Sequence, residues 1–305
     1  MRVIVLNQNN LVMDGQNNKL IYKFPNSVQF KNNHIAVSSV SMYYSWFNIT
    51  SAYTNNSFTY TWVSAGITTT YTITIPDGLY QVSDLNNLLQ FEMAKNGTYL
   101  INASGEYVYY AEFILNPTRY AVQINTFLFP TALPTGYVLP SNFPAGGFPT
   151  QTFNPSITIP AKLNVILGFP VGFVSNQNTN NAYTPPTASS SNNYVSKNSS
   201  NTLSYLSNVA PNVQPNSSIY FSLSNINNPY SLPSSIIYSI VPQGEVGTLI
   251  TERPPQFMFN KMIDGTYNQL TLTFLGNDLQ PIILNDPQMT ILLTIKEGDE
   301  MGDKR

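Results

Sequence analysis

The sequence predicts an all-β sandwich, and three observations carry that reading. In residues 267–297, Leu270, Leu272 and Phe274 alternate with Gln269, Thr271 and Thr273, the period-2 pattern of a strand buried on one face. Roughly a dozen segments of this kind in all, separated by turn residues, run along the chain with no alternation of strands and helices. Only one convincing amphipathic helix interrupts them.

The first strand signals are Leu20-Ile21-Tyr22-Lys23-Phe24 and Val28-Gln29-Phe30. A long run over residues 35–49 follows, in which Val37, Val40, Met42 and Tyr44 favour a strand and Trp46 and Phe47 add aromatic bulk. Residues 57–63 and 69–75 predict two more strands around an Ala65-Gly66 turn. Pro76-Asp77-Gly78 ends the second, and the period changes. Ser83 or Asp84 can cap a helix with Leu85, Leu88 and Leu89 on one face and Met93 nearby, and Asn96-Gly97 stops it.

Strands resume at 99–101, 107–115 and 120–129. Residues 130–157 are rich in Pro, Gly and Thr and predict an extended loop. A second, shorter helix is expected at 160–167, with Pro160 in its first turn, Leu163, Ile166 and Leu167 on one face, and Gly168 after it. Residues 175–204 are almost wholly Asn, Ser, Thr and Pro, too polar to bury, and predict a long surface loop. The last third predicts strands at 219–223, 236–241, 256–262, 270–275 and 289–295. Strands from both ends of the chain meeting in one double sheet gives a thicker core than two small sandwiches.

The composition constrains what the surface does. Of 305 residues 42% are hydrophobic and 13% aromatic, whereas 9% are charged and the net charge is −2. Globular proteins average about 25% charged residues. Polarity here rests on amides and hydroxyls, and β-rich segments with few charges leave sheet edges open to pairing. The composition therefore predicts a surface largely covered by partners. An AT-rich genome would also enrich Asn, Tyr and Ile. The sequence has no cysteine, hence no disulfide or thiol chemistry. The apolar run in MRVIVLNQNN is too short for a secretion signal, and no stretch approaches the roughly 20 apolar residues of a membrane helix. A non-secreted protein follows as the expectation.

Candidates for chemistry are sparse. His34 is the single histidine, with Ser38 and Ser39 after it, and no Gly-x-Ser-x-Gly elbow is present. With one His and no Cys, a zinc site is not expected. Glu106 and Glu112, among tyrosines, would be the pair to consider for glycoside hydrolysis, although alternating Tyr and Glu also suits ordinary strand faces. No phosphate-binding glycine loop appears, and the scattered Lys and Arg form no stripe for nucleic acid. Glu297, Asp299, Glu300 and Asp303 lie in a charged tail without the spacing of a calcium loop. No catalytic, cofactor-binding or metal-ligating residue is predicted, and the chain is read as a non-enzyme.

The order of short motifs resembles the penton, or minor capsid, proteins of virophages and Polinton-like viruses. The motifs are Tyr43-Tyr44-Ser45-Trp46-Phe47-Asn48-Ile49, then Ile75-Pro76-Asp77-Gly78-Leu79-Tyr80 ahead of the helix at 84–95. Val165-Ile166-Leu167-Gly168-Phe169 and the closing segment 267–297 complete them. The resemblance implies a single viral jelly roll of eight principal strands with long loop insertions and one or two short helices. Its expected extent is a discontinuous domain of residues 1–130 and 205–297, a loop-rich insertion at 131–204 and a charged tail at 298–305. It further implies a homopentamer at the fivefold vertex of an icosahedral virion, in contact with a double jelly-roll major capsid protein, and no cofactor. The alternative is a lectin-like attachment module that binds host glycans through exposed aromatics.

Overall fold

A computed structural model of the chain describes residues 1–13, 19–175, 202–213, 216–286 and 288–298. The strands β1 (Arg2–Asn7), β2 (Leu11–Met13), β3 (Lys19–Phe30) and β4 (Asn33–Tyr43) come first. They are followed by β5 (Ser57–Ser64), β6 (Ile67–Thr74), helix α1 (Val82–Lys95), β7 (Leu100–Ile101), β8 (Tyr107–Val108), β9 (Ala111–Asn116) and β10 (Ala121–Phe127). Next are β11 (Ile157–Ile159), helix α2 (Leu163–Leu167), β12 (Phe173–Val174) and β13 (Thr202–Leu206). The last set is β14 (Ile219–Leu223), β15 (Ile236–Ile240), β16 (Leu249–Glu252), β17 (Asn260–Lys261), β18 (Gly265–Leu275) and β19 (Met289–Glu297). Two compact units result, one of Met1–Trp46 with Gln214–Arg305 and one of Phe47–Val213.

The first unit is a jelly roll. Its two sheets have the orders β1-β19-β4-β16 and β15-β14-β18-β3-β2, with β17 added beside β4. The antiparallel pairings β1 with β19, β3 with β18, β4 with β16 and β14 with β15 are nested along the chain. A chain folded back on itself in this way and rolled into two four-stranded sheets is the eight-stranded jelly roll. Alternation decides which side chains fill it. Met289, Ile291, Leu293 and Ile295 of β19 are all buried, opposite Met42, Val40, Val37 and Ile35 of β4. The register slips between Leu292 and Leu293, so Ser38 is the extra residue on β4, and its Oγ donates to the Leu292 carbonyl at 3.0 Å. Without that bulge, Val37 and Val40 would face opposite sides of the sheet. In the other sheet Phe221 meets Phe274 edge to face at 5.0 Å, a favoured geometry for aromatic rings.

The second unit has its own core. Its sheets run β12-β11-β5-β6 and β13-β10-β9, with β7 and β8 as a separate pair. Phe58 on β5 meets Phe113 on β9 edge-on at 5.4 Å, and Phe173 on β12 meets Tyr205 on β13 at 5.9 Å. The predicted turn between β5 and β6 has Ala65 at φ 49° and Gly66 at φ 77°, as a two-residue hairpin of this twist requires. Helix α1 buries Leu85, Leu89 and Met93 in this core, as the periodicity predicts, and Val82 besides, while Leu88 is partly buried against it. Its cap is Gln81 rather than Ser83 or Asp84. Asp84, at the third helical position, instead reaches back and accepts the Gln81 N–H at 2.8 Å, half of a capping box. The extended loop at 130–157 is present, but its Phe143 and Phe148 stack on Phe129 at 6.4 and 5.6 Å.

Several expectations differ from this arrangement. The jelly roll draws its strands from Met1–Trp46 and Gln214–Arg305, not from 1–130 and 205–297. The strands between 57 and 129 show the same alternation but bury their faces with residues 157–173 and 205. Alternation reports that a strand has a buried face, not which sheet it joins. Helix α2 is Leu163–Leu167, ended by Gly168 in the left-handed region. The expected strand at 107–115 breaks at Tyr109-Tyr110, and of 256–262 only Asn260–Lys261 is strand. The polar loop at 175–204 is structured at both ends. Ser175 is buried and accepts the Ile157 N–H at 2.9 Å, and Ser204 is buried on β13. Its middle, 176–201, lies outside the described residues, as does the tail at 299–305.

Candidate assembly surface

The side chains weighed for catalysis do not converge. His34 and Ser38 lie four residues apart on β4, which at about 3.3 Å per residue separates their backbones by about 13 Å. His34 pairs with Lys261 and Lys296 on the strands either side. Ser38 serves the bulge, and Ser39 is opposite Leu292. Glu106 occupies an exposed turn, where Asn102 Nδ2 donates to its carboxylate at 2.8 Å. Glu112 is buried on β9 and accepts from Asn125 Nδ2 at 2.8 Å, within a polar network that includes Gln123, Asn116 and Ser204. Glu297 pairs with Arg2 at 3.6 Å at the surface, while Asp299, Glu300 and Asp303 are outside the described residues. Among the described residues no group of three or more His, Asp or Glu is gathered for a metal. No helix among them is long and apolar enough to cross a membrane.

What the jelly-roll unit does present is apolar surface at its two flanks. At one flank lie β1 and β2, the outer strands of the two sheets on that side. Met1, Val3, Val5 and Val12 are exposed there. At the other flank, β15 and β16 end the two sheets. Val241, Val246, Leu249, Phe257 and Met258 are exposed along it or in its connections. The Tyr238 hydroxyl on β15 is held above its usual range, first by burial and then by the Glu252 carboxylate on β16. Surfaces of free monomers scatter such residues singly, and clusters of them mark contact sites.

Two features stand at the same end of this unit. One is a cavity of about 500 Å³ at the β1 flank, lined by Ile4, Tyr22, Phe24, Val28 and Phe30 together with the charged Arg2, Lys31 and Glu297. Tyr22, Phe24 and Phe30 form a chain of ring contacts at 5.3 and 5.8 Å. The other is the connection from β14 to β15, residues 224–235, which carries Tyr230 and Leu232 into solvent. Sequence reasoning passed over both. The visible signal for the loop is Pro229-Tyr230-Ser231-Leu232-Pro233, two bulky apolar residues set between prolines in a stretch of Asn and Ser. The cavity gives no local signal, because its walls come from β1, β3, β4 and β19 together.

The aromatic-platform alternative finds Tyr99, Tyr107 and Tyr109 close together, at 4.5 Å between Tyr99 and Tyr107 and 5.9 Å between Tyr99 and Tyr109. These rings pack on each other, and Tyr99 and Tyr109 are buried.

No protein-family model matches the chain, and no curated protein matches it. Among solved structures it is similar to the mavirus penton protein, in a selenomethionine crystal structure, with 11% identity and a TM-score of 0.39 over 97% of this chain and 98% of that one. It is also similar to a chain in the cryo-EM structure of the Sputnik virophage, with 9% identity and a TM-score of 0.35 over 98% of this chain and 99% of that one.

Proposed function

We propose that this protein is a structural subunit of a viral capsid, a penton-type minor capsid protein that self-associates around a fivefold vertex. On this reading it also contacts a double jelly-roll major capsid protein and resides in the virion. The observation that carries the reading is a complete jelly roll with exposed apolar residues at both flanks of its two sheets. Jelly rolls recur in capsid and lectin domains, and the motif order in the sequence favours the capsid branch. Distinct surfaces on opposite sides of one unit suit a head-to-tail contact, which closes into a ring when the rotation between copies allows.

The chemistry of the contact follows from the composition. With 9% charged residues, association buries apolar area and amide hydrogen bonds, so it depends weakly on ionic strength. Light scattering on a size-exclusion column at low and high salt tests this. The expected result is a pentamer at both salts, with or without added major capsid protein. A monomer at every concentration, also beside the major capsid protein, would overturn the reading.

A further inference from the structure

We infer that the loop carrying Tyr230 and Leu232 on one copy docks into the aromatic cavity at the β1 flank of the next copy. This inference rests on the self-association proposed above and names the contact that makes it.

The loop is built to hold its tip out. Tyr230 is 97% and Leu232 87% exposed, the two most exposed large apolar side chains in the described residues. Such exposure usually accompanies a slack loop, but this one is tied across its base. The Asn228 N–H donates to the Ser234 carbonyl at 2.8 Å, and Asn228 Nδ2 donates to the Ile236 carbonyl at 3.1 Å. Asn228 Oδ1 accepts the Tyr230 N–H at 3.1 Å, and Ser231 Oγ donates to the Pro233 carbonyl at 2.9 Å. A pre-ordered tip loses little conformational freedom on docking, which is what makes an exposed aromatic an effective anchor.

The cavity matches that tip in chemistry and position. Its volume of about 500 Å³ lies within the range of roughly 300–1,000 Å³ for sites that enclose small groups. Residues 224–235 contain no charged side chain, so the tip itself carries no charge into the cavity, where Tyr22, Phe24 and Val28 offer it apolar wall. Lys31 and Glu297 line the same cavity and are polar partners for the Tyr230 hydroxyl. The strand orders give the placement. The cavity takes walls from β1 and β3, beside the β2 edge, whereas the loop joins β14 to β15 at the opposite edge. Both lie at the end where β18 begins. Phe30 pairs with Gly265 there, and the Ile263 N–H donates to the Asn225 carbonyl at 2.8 Å. A knob and a socket on opposite flanks at one level are what a heterologous ring of identical copies requires.

The test uses two full-length variants. Tyr230→Ser with Leu232→Ser removes the knob and keeps the cavity. Val28→Asp spoils the cavity and keeps the knob, and Phe24→Ser replaces it should Val28→Asp shift the thermal melting of the monomer. The knob variant and the cavity variant are each expected to weaken self-association by roughly 30-fold or more, leaving each monomeric in native mass spectrometry. Mixed, the two are expected to form a 1:1 dimer and nothing larger, since only one knob and one socket survive in the pair. Variants that still form the wild-type ring would overturn this contact while sparing the proposal of self-association. A cavity variant alone that keeps the ring would assign the cavity to some other ligand and also overturn it. A wild-type protein that never associates would instead sink the underlying proposal.

Discussion

Leu6 on β1 lies directly opposite Ile291 on β19, and both are sealed in the core of the jelly-roll unit. Residues near the two ends of the sequence are thus direct neighbours in one sheet. β1 is held by its ladder with β19 and by its inward side chains, since Ile4 and Leu6 are buried while Val3 and Val5 face solvent. Leu6→Ala is expected to cost about 2–5 kcal/mol, the range for deleting a buried leucine side chain. Val5→Ala should stay within about 0.5 kcal/mol. Urea unfolding of the two variants checks this, with the midpoint falling for the first and the slope unchanged for both.

The same sheet makes the last strand indispensable. β19 is hydrogen-bonded to β1 on one side and to β4 on the other. A chain ending at Asp286 loses it, exposes both neighbours' ladders and opens the core lined by Met289, Ile291, Leu293 and Ile295. No folded jelly roll should form. A chain ending at Gly298 retains the bond from the Gly298 N–H to the Asn32 carbonyl at 2.8 Å, and its melting temperature should equal that of the full chain. Limited proteolysis distinguishes the two products, and a protease-resistant core from the shorter chain would contradict the topology.

Those two strands also mark what the sequence could reveal. Leu270, Leu272 and Phe274 announce β18, and the run from Met289 announces β19, because each alternates over a length no turn interrupts. β14, at Ile219–Leu223, is likewise readable end to end. β1 is not, since its four apolar residues become a strand only through β19, which lies far along the chain. β16 is four residues, Leu249–Glu252, of which Ile250 is buried. So short a pattern is indistinguishable from loop. The partition at Phe47 and Val213 is hidden for a related reason: sandwich strands of either unit carry the same period, and only pairing separates them. The candidate surface is still less legible, because exposure of Tyr230 and Leu232 is a property of the folded chain rather than of any local pattern.

The second unit is expected to fold alone. Its cluster, from Ile49 through Trp62, Leu89, Tyr110 and Phe129 to Tyr205, is drawn from Phe47–Val213 alone. The two tryptophans divide between the units, Trp46 in one and Trp62 in the other. A protein of residues 47–213 should therefore show a cooperative urea transition in Trp62 fluorescence. Trp62 packs 4.5 Å from the Phe129 ring and 5.3 Å from Phe153, so its emission should shift to the red as that packing is lost. A gradual shift without a midpoint would mean the core depends on the remaining chain.

Alkaline pH should unfold that same unit through its buried tyrosines. The Tyr60 hydroxyl accepts from Asn96 Nδ2 at 3.1 Å and lies 3.0 Å from Thr98 Oγ1. The Thr98 proton goes to the Met93 carbonyl at 3.2 Å, which leaves Tyr60 as donor to Thr98. Burial, the largest cause, pushes the Tyr60 hydroxyl up to about 12 against an ordinary value of 10.0. A group whose proton is held more tightly when folded stabilises fully below its unfolded value, and that contribution is lost as pH rises through the folded one. Stability of residues 47–213 should therefore be flat to pH 10 and fall between pH 10 and 12. Tyr60 alone accounts for about 2–3 kcal/mol of that fall. Tyr60→Phe removes its share. The variant should be less stable than wild type at pH 8 by about 1 kcal/mol or more, from the lost hydrogen bonds, yet lose less on going to pH 12. Urea midpoints measured across that range check the sign, and an equally steep loss in the variant would show that Tyr60 does not carry it.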